Sequence, residues 1–194
     1  IYILMSDLNS TTPGYEELAG PTANGGKGWQ PIGSVNGSPY EVFQGTLDGA
    51  GYEICDLFIN RPEEVNVGLF NTVYYQGGIT DLGVVNAVVT GYHWVGGLAA
   101  LSAGTVDNCY SVSSVNGTGH YVGGLMGVNG GTINDSYSTG NITGNHAVGG
   151  LVGTNTGVVS DCHSTGNVIG EDGAGGLAGY NGGGTVSDSY ATGS

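Results

Sequence analysis

VGGLMGVNGGTINDSYSTGNITGNHA, residues 122–147, runs directly into VGGLVGTNTGVVSDCHSTGNVIGEDG, residues 148–173. The two stretches share a length, and Gly, Leu, Asn, Asp, Ser and Thr recur at the same places. Neither holds apolar residues at helical 3.6 spacing. Both break into short β-branched pieces separated by Gly or Asn: Thr132-Ile133, Ser136 to Thr139, Asn141-Ile142-Thr143, Val148 to Val152. Each piece is too short to stand alone as a hairpin. A unit of about 26 residues with three short strands and glycine corners fits one coil of a parallel β-solenoid.

Working outward, Val-Gly-Gly-Leu also starts at Val95, and its variant Ala-Gly-Gly-Leu at Ala174. A looser copy, Val67-Gly68-Leu69-Phe70, precedes them. In a second register Ile54, Ile79, Val106, Ile133, Val159 and Val186 are each followed two residues later by Asp56, Asp81, Asn108, Asp135, Asp161 and Asp188. Stacking predicts interior columns. One is Leu98, Leu125, Leu151 and Leu177; a second is Val115, Ile142 and Val168. A third, Leu57, Leu82, Cys109, Ser136, Cys162 and Ser189, shrinks along the chain, so the interior should narrow toward the C-terminus. Glycine content and the lack of long helical patterns exclude helical solenoids.

Composition narrows the function classes. The 194 residues include 41 Gly and 5 Pro, which without a period would read as disorder. Sixteen acidic residues face two cations, Lys27 and Arg61, for a net charge of −14. Nucleic acids and anionic membranes both need a basic surface, so neither is an expected partner. No apolar run reaches the roughly 18 to 20 residues of a membrane helix, and insertion is not expected. Cys109 and Cys162 hold equivalent places two coils apart, roughly 10 Å at about 4.8 Å per coil. That exceeds the roughly 7 Å a disulfide allows, so free buried thiols are expected. The chain begins without Met and stops partway through a repeat, so it reads as a mature or excised piece.

The repeats resemble the GLUG motif, Gly-Leu-any-Gly, of bacterial and archaeal surface proteins. The motif stands as Gly124-Leu125-Met126-Gly127, Gly150-Leu151-Val152-Gly153 and Gly176-Leu177-Ala178-Gly179. Gly97-Leu98-Ala99-Ala100 and Gly68-Leu69-Phe70-Asn71 depart from it. Tyr2 to Leu8, Trp29 to Gly33 and Phe43 to Tyr52 resemble the lead-in blocks of that family. The resemblance implies a right-handed β-helix on an adhesin-like cell-surface or large secreted protein, and carries over no catalytic residues. The expectation is therefore an all-β, right-handed parallel β-helix of about six coils. Residues 1–42 form its N-terminal cap and 43–194 the coils.

Four columns are candidate sites. Asp56, Asp81, Asp135, Asp161 and Asp188, with Asn108, read either as turn-capping corners or as a calcium ladder. His93, His120 and His146, with Asp172 at the next place, read as a ring stack at a corner or as a stripe of zinc, copper or nickel ligands. Phe58, Tyr110, Tyr137, His163 and Tyr190 read as a self-stacking ladder or as a platform for sugar rings or a protein partner. Asn129, Asn155 and Asn181 read as a structural ladder. No nucleophile–base pair or phosphate loop emerges, so no enzyme and no resident cofactor is expected. The expected function is an extracellular structural or adhesive solenoid. Its bare end strands invite self-association, head to tail, into a filament. The alternative is a glycan-binding module of a larger secreted protein.

Overall fold

A computed structural model describes residues 1–33 and 42–193. Strand accounts for 54% of the chain and helix for 5%. The strands form three sheets of 7, 11 and 5 members, and every paired strand is parallel to its neighbours. The first sheet runs through Thr46–Asp48, Gly78–Thr80, Thr105–Asp107, Thr132–Asn134, Val158–Ser160 and Thr185–Ser187. The third runs through Phe70–Val73, Ala99–Ser102, Met126–Asn129, Val152–Asn155 and Ala178–Asn181. The long strands Gly83–Gly91, Tyr110–Gly117, Asn141–Gly149 and Asn167–Gly175 make most of the second. The chain visits the three in rotation, which is a parallel β-solenoid of about five turns. Thr185–Ser187 and Tyr190–Ala191 begin a sixth, so the six repeat copies yield five complete turns.

The interior is built from the columns the period predicts. Val106 and Ile133 are in register and fully buried, as are Ile79 and Val159. Val89, Val115 and Ile142 form a second buried column, with Ile59 beneath them. Leu69, Leu98, Leu125 and Leu151 line a third wall. Each such side chain contributes about 1.5–3 kcal/mol by leaving water. In this column the large Leu82 gives way to the smaller Cys109, Ser136 and Cys162, all buried. Cys109 and Cys162 are free thiols two turns apart, with Ser136 between them, and burial pushes the Cys109 pKa up to about 12.

Residues 1–33 cover the first turn. Tyr15 and Ala19, on the helix Tyr15–Ala19, join the core cluster. Leu8 bridges to Ile54, Gly28 to Ile59 and Ile32 to Phe70. Glu64 fastens this region to the coils by accepting hydrogen bonds from Lys27 (2.7 Å) and Arg61 (2.9 Å). Burial opposes ionisation of Glu64, yet the two cations hold its pKa below the ordinary value. The cap boundary placed at 42 follows residues 34–41, which lie outside the described residues.

The first turn departs from the period. Residues 54–58 align with 84–88, 30 positions on, rather than with 79–83. Ile54 therefore pairs with Val84, and Leu47 is the true partner of Ile79. Asp56 lies beside Asn86, Leu57 beside Ala87, and Phe58 beside Val88. All three leave the columns assigned to them from the sequence. The physical cause is a longer link between the first and second sheets: Leu47 and Ile54 are seven residues apart, where their partners Ile79 and Val84 are five apart, so the pattern at 54–56 falls on the second sheet. A bulge lies on the partner strand, Gly83–Gly91. Asn86 has no partner on the next strand, where Val85 faces Val112 and Ala87 faces Ser113, and both Asp56 and Asn86 take positive φ, 60° and 54°.

Candidate functional site

The outer surface is organised as axial ladders. Asp81, Asn108, Asp135, Asp161 and Asp188 all take φ between 46° and 54° at the corner that ends the first sheet. Asp and Asn tolerate this left-handed region, which explains the residue choice. Their polar groups close on neighbours. Asn108 Nδ2 donates to Asp81 Oδ1 at 2.6 Å, and Asn134 Nδ2 donates to Asp107 Oδ1 at 2.9 Å and to Asp135. Asp56, outside this column, accepts from Asn86 and Ser10, and those bonds lower its pKa. Among the described residues, no three His, Cys, Asp or Glu side chains gather into a group that could hold a metal ion. The carboxylates expected as a calcium ladder are thus corner residues, several of them bonded to amides.

Tyr110, Tyr137, His163 and Tyr190 are in register on successive turns. Their rings stack face to face at 4.9, 4.9 and 5.2 Å, with interplanar angles of 1°, 11° and 7°. Below Tyr110 the register place is Gly83 and then Glu53, not Phe58. The Tyr110 hydroxyl crosses Gly83 to donate to the Glu53 carboxylate. Burial and that bond push the Tyr110 pKa well above the ordinary phenol value. The stacking has a chemical consequence. A sugar packs on the flat face of a ring, and in this ladder the faces of Tyr137 and His163 are covered by their neighbours. Only ring edges meet solvent along most of the row, so the platform expected from the sequence is not available there.

His93, His120 and His146 stack likewise, at 4.9 and 4.6 Å, and Asp172 Oδ2 lies 3.4 Å from His146 Nδ1. His93 Nδ1 is committed as acceptor to the backbone N–H of His120 at 2.8 Å. A neutral His93 then carries its proton on Nε2 and has no free lone pair for a metal. Face-to-face rings and this commitment set the transition-metal reading of His93, His120, His146 and Asp172 aside. The adjoining residues Trp94, Tyr121 and Ala147 take φ of 54°, 64° and 50°, and the Trp94 and Tyr121 rings lie parallel at 6.3 Å.

Asn129, Asn155 and Asn181 form the ladder expected of them. Asn129 Nδ2 donates to Asn155 Oδ1 at 2.8 Å, and Asn155 Nδ2 to Asn181 Oδ1 at 3.1 Å. Three features had no signal in the period: the Glu53–Tyr110 bond, the His93–His120 backbone bond and the Lys27–Glu64–Arg61 cluster. Each joins residues outside the repeated positions or joins side chain to backbone. Only the scarcity of cations pointed to the last.

Comparison with known proteins agrees with this architecture. The model of the GLUG motif matches residues 144–169 and 170–194. Halomucin of Haloquadratum walsbyi is 38% identical over 94 residues, which is 48% of this chain and 1% of that protein. A protein of Evansella cellulosilytica, provisionally named a Gly-rich membrane protein, is 38% identical over 88 residues, 45% of this chain and 9% of that protein. The chain thus spans a small fraction of the length of both relatives. A crystal structure from Bacteroides ovatus, provisionally named an immunoglobulin A1 protease, superposes with a TM-score of 0.62 at 19% identity. The superposition covers 84% of this chain and 63% of that one. That likeness concerns the fold alone.

Proposed function

We propose that this chain is a non-catalytic, extracellular structural module, a stiff rod segment within or beside a surface-protein array. The observation that carries this reading is the self-closure of the ladders. Ring faces stack on ring faces in the Tyr110–Tyr190 and His93–His146 columns, and Asn129, Asn155 and Asn181 bond to one another. These side chains join turn to turn, which is the work of a spacer. Resemblance to Halomucin and to a Gly-rich membrane protein supports the extracellular placing, and the small share of each that is matched supports a role as one piece of a longer array. The same rung-on-rung pairing is the chemistry by which a solenoid end would stack on a second copy, head to tail.

Tyr137→Ala tests the spacer reading against adhesion through the aromatic row. It removes two ring stacks, so a loss of about 2 kcal/mol in unfolding free energy is expected. Retention on neutral polysaccharide columns and on cell surfaces should not change. Loss of retention with stability intact would make the row a ligand platform and overturn the spacer reading. Sedimentation velocity across a wide concentration range tests the stacking of copies, since head-to-tail association gives an s-value that climbs without a plateau.

A further inference from the structure

We propose that His93 is an acid-releasable clasp between the second and third turns of the solenoid. The second turn runs through residues 78–102 and the third through 105–129. These two turns are joined mostly by backbone ladders, whose groups do not titrate, and at the corner that ends the first sheet by the Asn108–Asp81 bond. At the corner after Gly117 the joint differs. The backbone N–H of His120 donates to the Nδ1 atom of His93, a side chain one turn below, at 2.8 Å. On the next turn the equivalent His146 N–H points to a backbone carbonyl, that of Gly119, at 3.5 Å. The His93 ring can lie this close because residue 119 is glycine. A Cβ there would collide with Nδ1 and Cε1 of His93.

The bond exists only while Nδ1 is unprotonated. A proton added to neutral His93 goes on Nδ1, since Nε2 already carries one. The acceptor then becomes a donor aimed at another donor, and the His120 N–H loses its partner. The same proton places a cation 4.9 Å from the stacked His120 ring, itself 4.6 Å from His146. Both effects disfavour the charged form in the folded chain. Desolvation and the His120 neighbour accordingly lower the His93 pKa.

Of the groups around the clasp, the neighbouring rings oppose this shift weakly and the carboxylates stand aside. The tilted rings of Tyr92, at 3.8 Å, and Trp94, at 6.0 Å, favour a cation weakly. Asp172 sits at the far end of the stack, 3.4 Å from His146. The turn below holds His93 by the bond from Asn66 N–H to the His93 carbonyl, and Tyr92 N–H donates to the Glu64 carbonyl. The carboxylate of Glu64 is taken by Lys27 and Arg61. The sign follows from linkage. A histidine whose folded pKa is depressed contributes stability that is complete above the ordinary value of about 6.5. That contribution is lost as pH falls from there toward the folded pKa.

Amide hydrogen exchange on the full chain, followed residue by residue by NMR between pH 7.5 and 5, tests the clasp. After correction for intrinsic exchange, protection at the His120 amide should fall at least tenfold on acidification. His93→Asn offers a carbonyl oxygen near the place of Nδ1 and cannot take a proton, so its His120 protection should stay flat. His163→Gln, which lies in the other ladder, should behave as the parent does. Unchanged protection in the parent, or an equal fall in His93→Asn, would overturn the proposal. If His93→Asn does not fold, the parent decides alone. The His93 ring and the His120 amide must then titrate with one shared midpoint below that of an exposed histidine, and separate midpoints reject the clasp.

Discussion

Ser138 and Ser164 explain why the first glycine of the Gly-Leu-x-Gly tetrad cannot be another residue. A Cβ on Gly150 would meet the Ser164 hydroxyl and the carbonyl of Gly176 on the next turn; Gly124 stands in the same relation to Ser138 and Gly150. The serines fill the space that the glycines vacate. Both are buried, and among the described residues neither hydroxyl has a hydrogen-bond partner. A buried hydroxyl without a partner costs about 1–3 kcal/mol. Ser138→Ala keeps the shape and removes the unpaired group. It is expected to raise unfolding free energy by about 1 kcal/mol, seen as a higher midpoint in urea with an unchanged m-value. A lower midpoint would mean that an ordered water satisfies the hydroxyl and that the serine is part of the joint.

At the scale of the element, the Asn column joins turn to turn through the buried side chains of Asn129 and Asn155. Asn155 is fully buried. Its Oδ1 accepts from Asn129 Nδ2 and from Gly157 N–H, and its Nδ2 donates to Asn181 Oδ1 and to the Thr185 carbonyl. Asn155→Ala strands several of these groups in the interior, so a loss of about 3 kcal/mol is expected from chemical denaturation. An effect under about 1 kcal/mol would show that the neighbouring ladder carries the corner without it. This column, like Val106–Ile133–Val159, was legible in the sequence because a fixed period near 26 puts equivalent residues one above another. The first turn was not legible in the same way. Asp56, Leu57 and Phe58 satisfy the pattern of the later repeats, but the longer first turn shifts them to other columns. The period also says which rings align without saying how they tilt. The residues of the Tyr110 row could be read from the chain, whereas the covering of their faces could not.

The whole molecule concentrates one sign of charge. Sixteen acidic residues stand against two cations, and both cations are spent on Glu64 near the cap. The remaining carboxylates have no lysine or arginine left to neutralise them. Asp135, Asp161 and Asp188 occupy the same corner of three successive turns, where like charges lie within about one rung spacing, roughly 4.8 Å. At low ionic strength the screening length is about 30 Å in 0.01 M salt, so these charges repel along the rod. Near 1 M it falls to about 3 Å, shorter than the rung spacing, and the repulsion is cut off. The folded rod holds its carboxylates closer together than the unfolded chain does, so screening favours the rod. Raising sodium chloride from 0.01 to 1 M should therefore raise the thermal midpoint by several degrees, on the order of 1–3 kcal/mol. Potassium chloride should act as sodium chloride does, because screening depends on ionic strength and not on the ion. Calcium matched for ionic strength should add no step beyond that curve. A saturating rise at millimolar calcium, reversed by chelation, would instead restore the Asp column as a cation ladder.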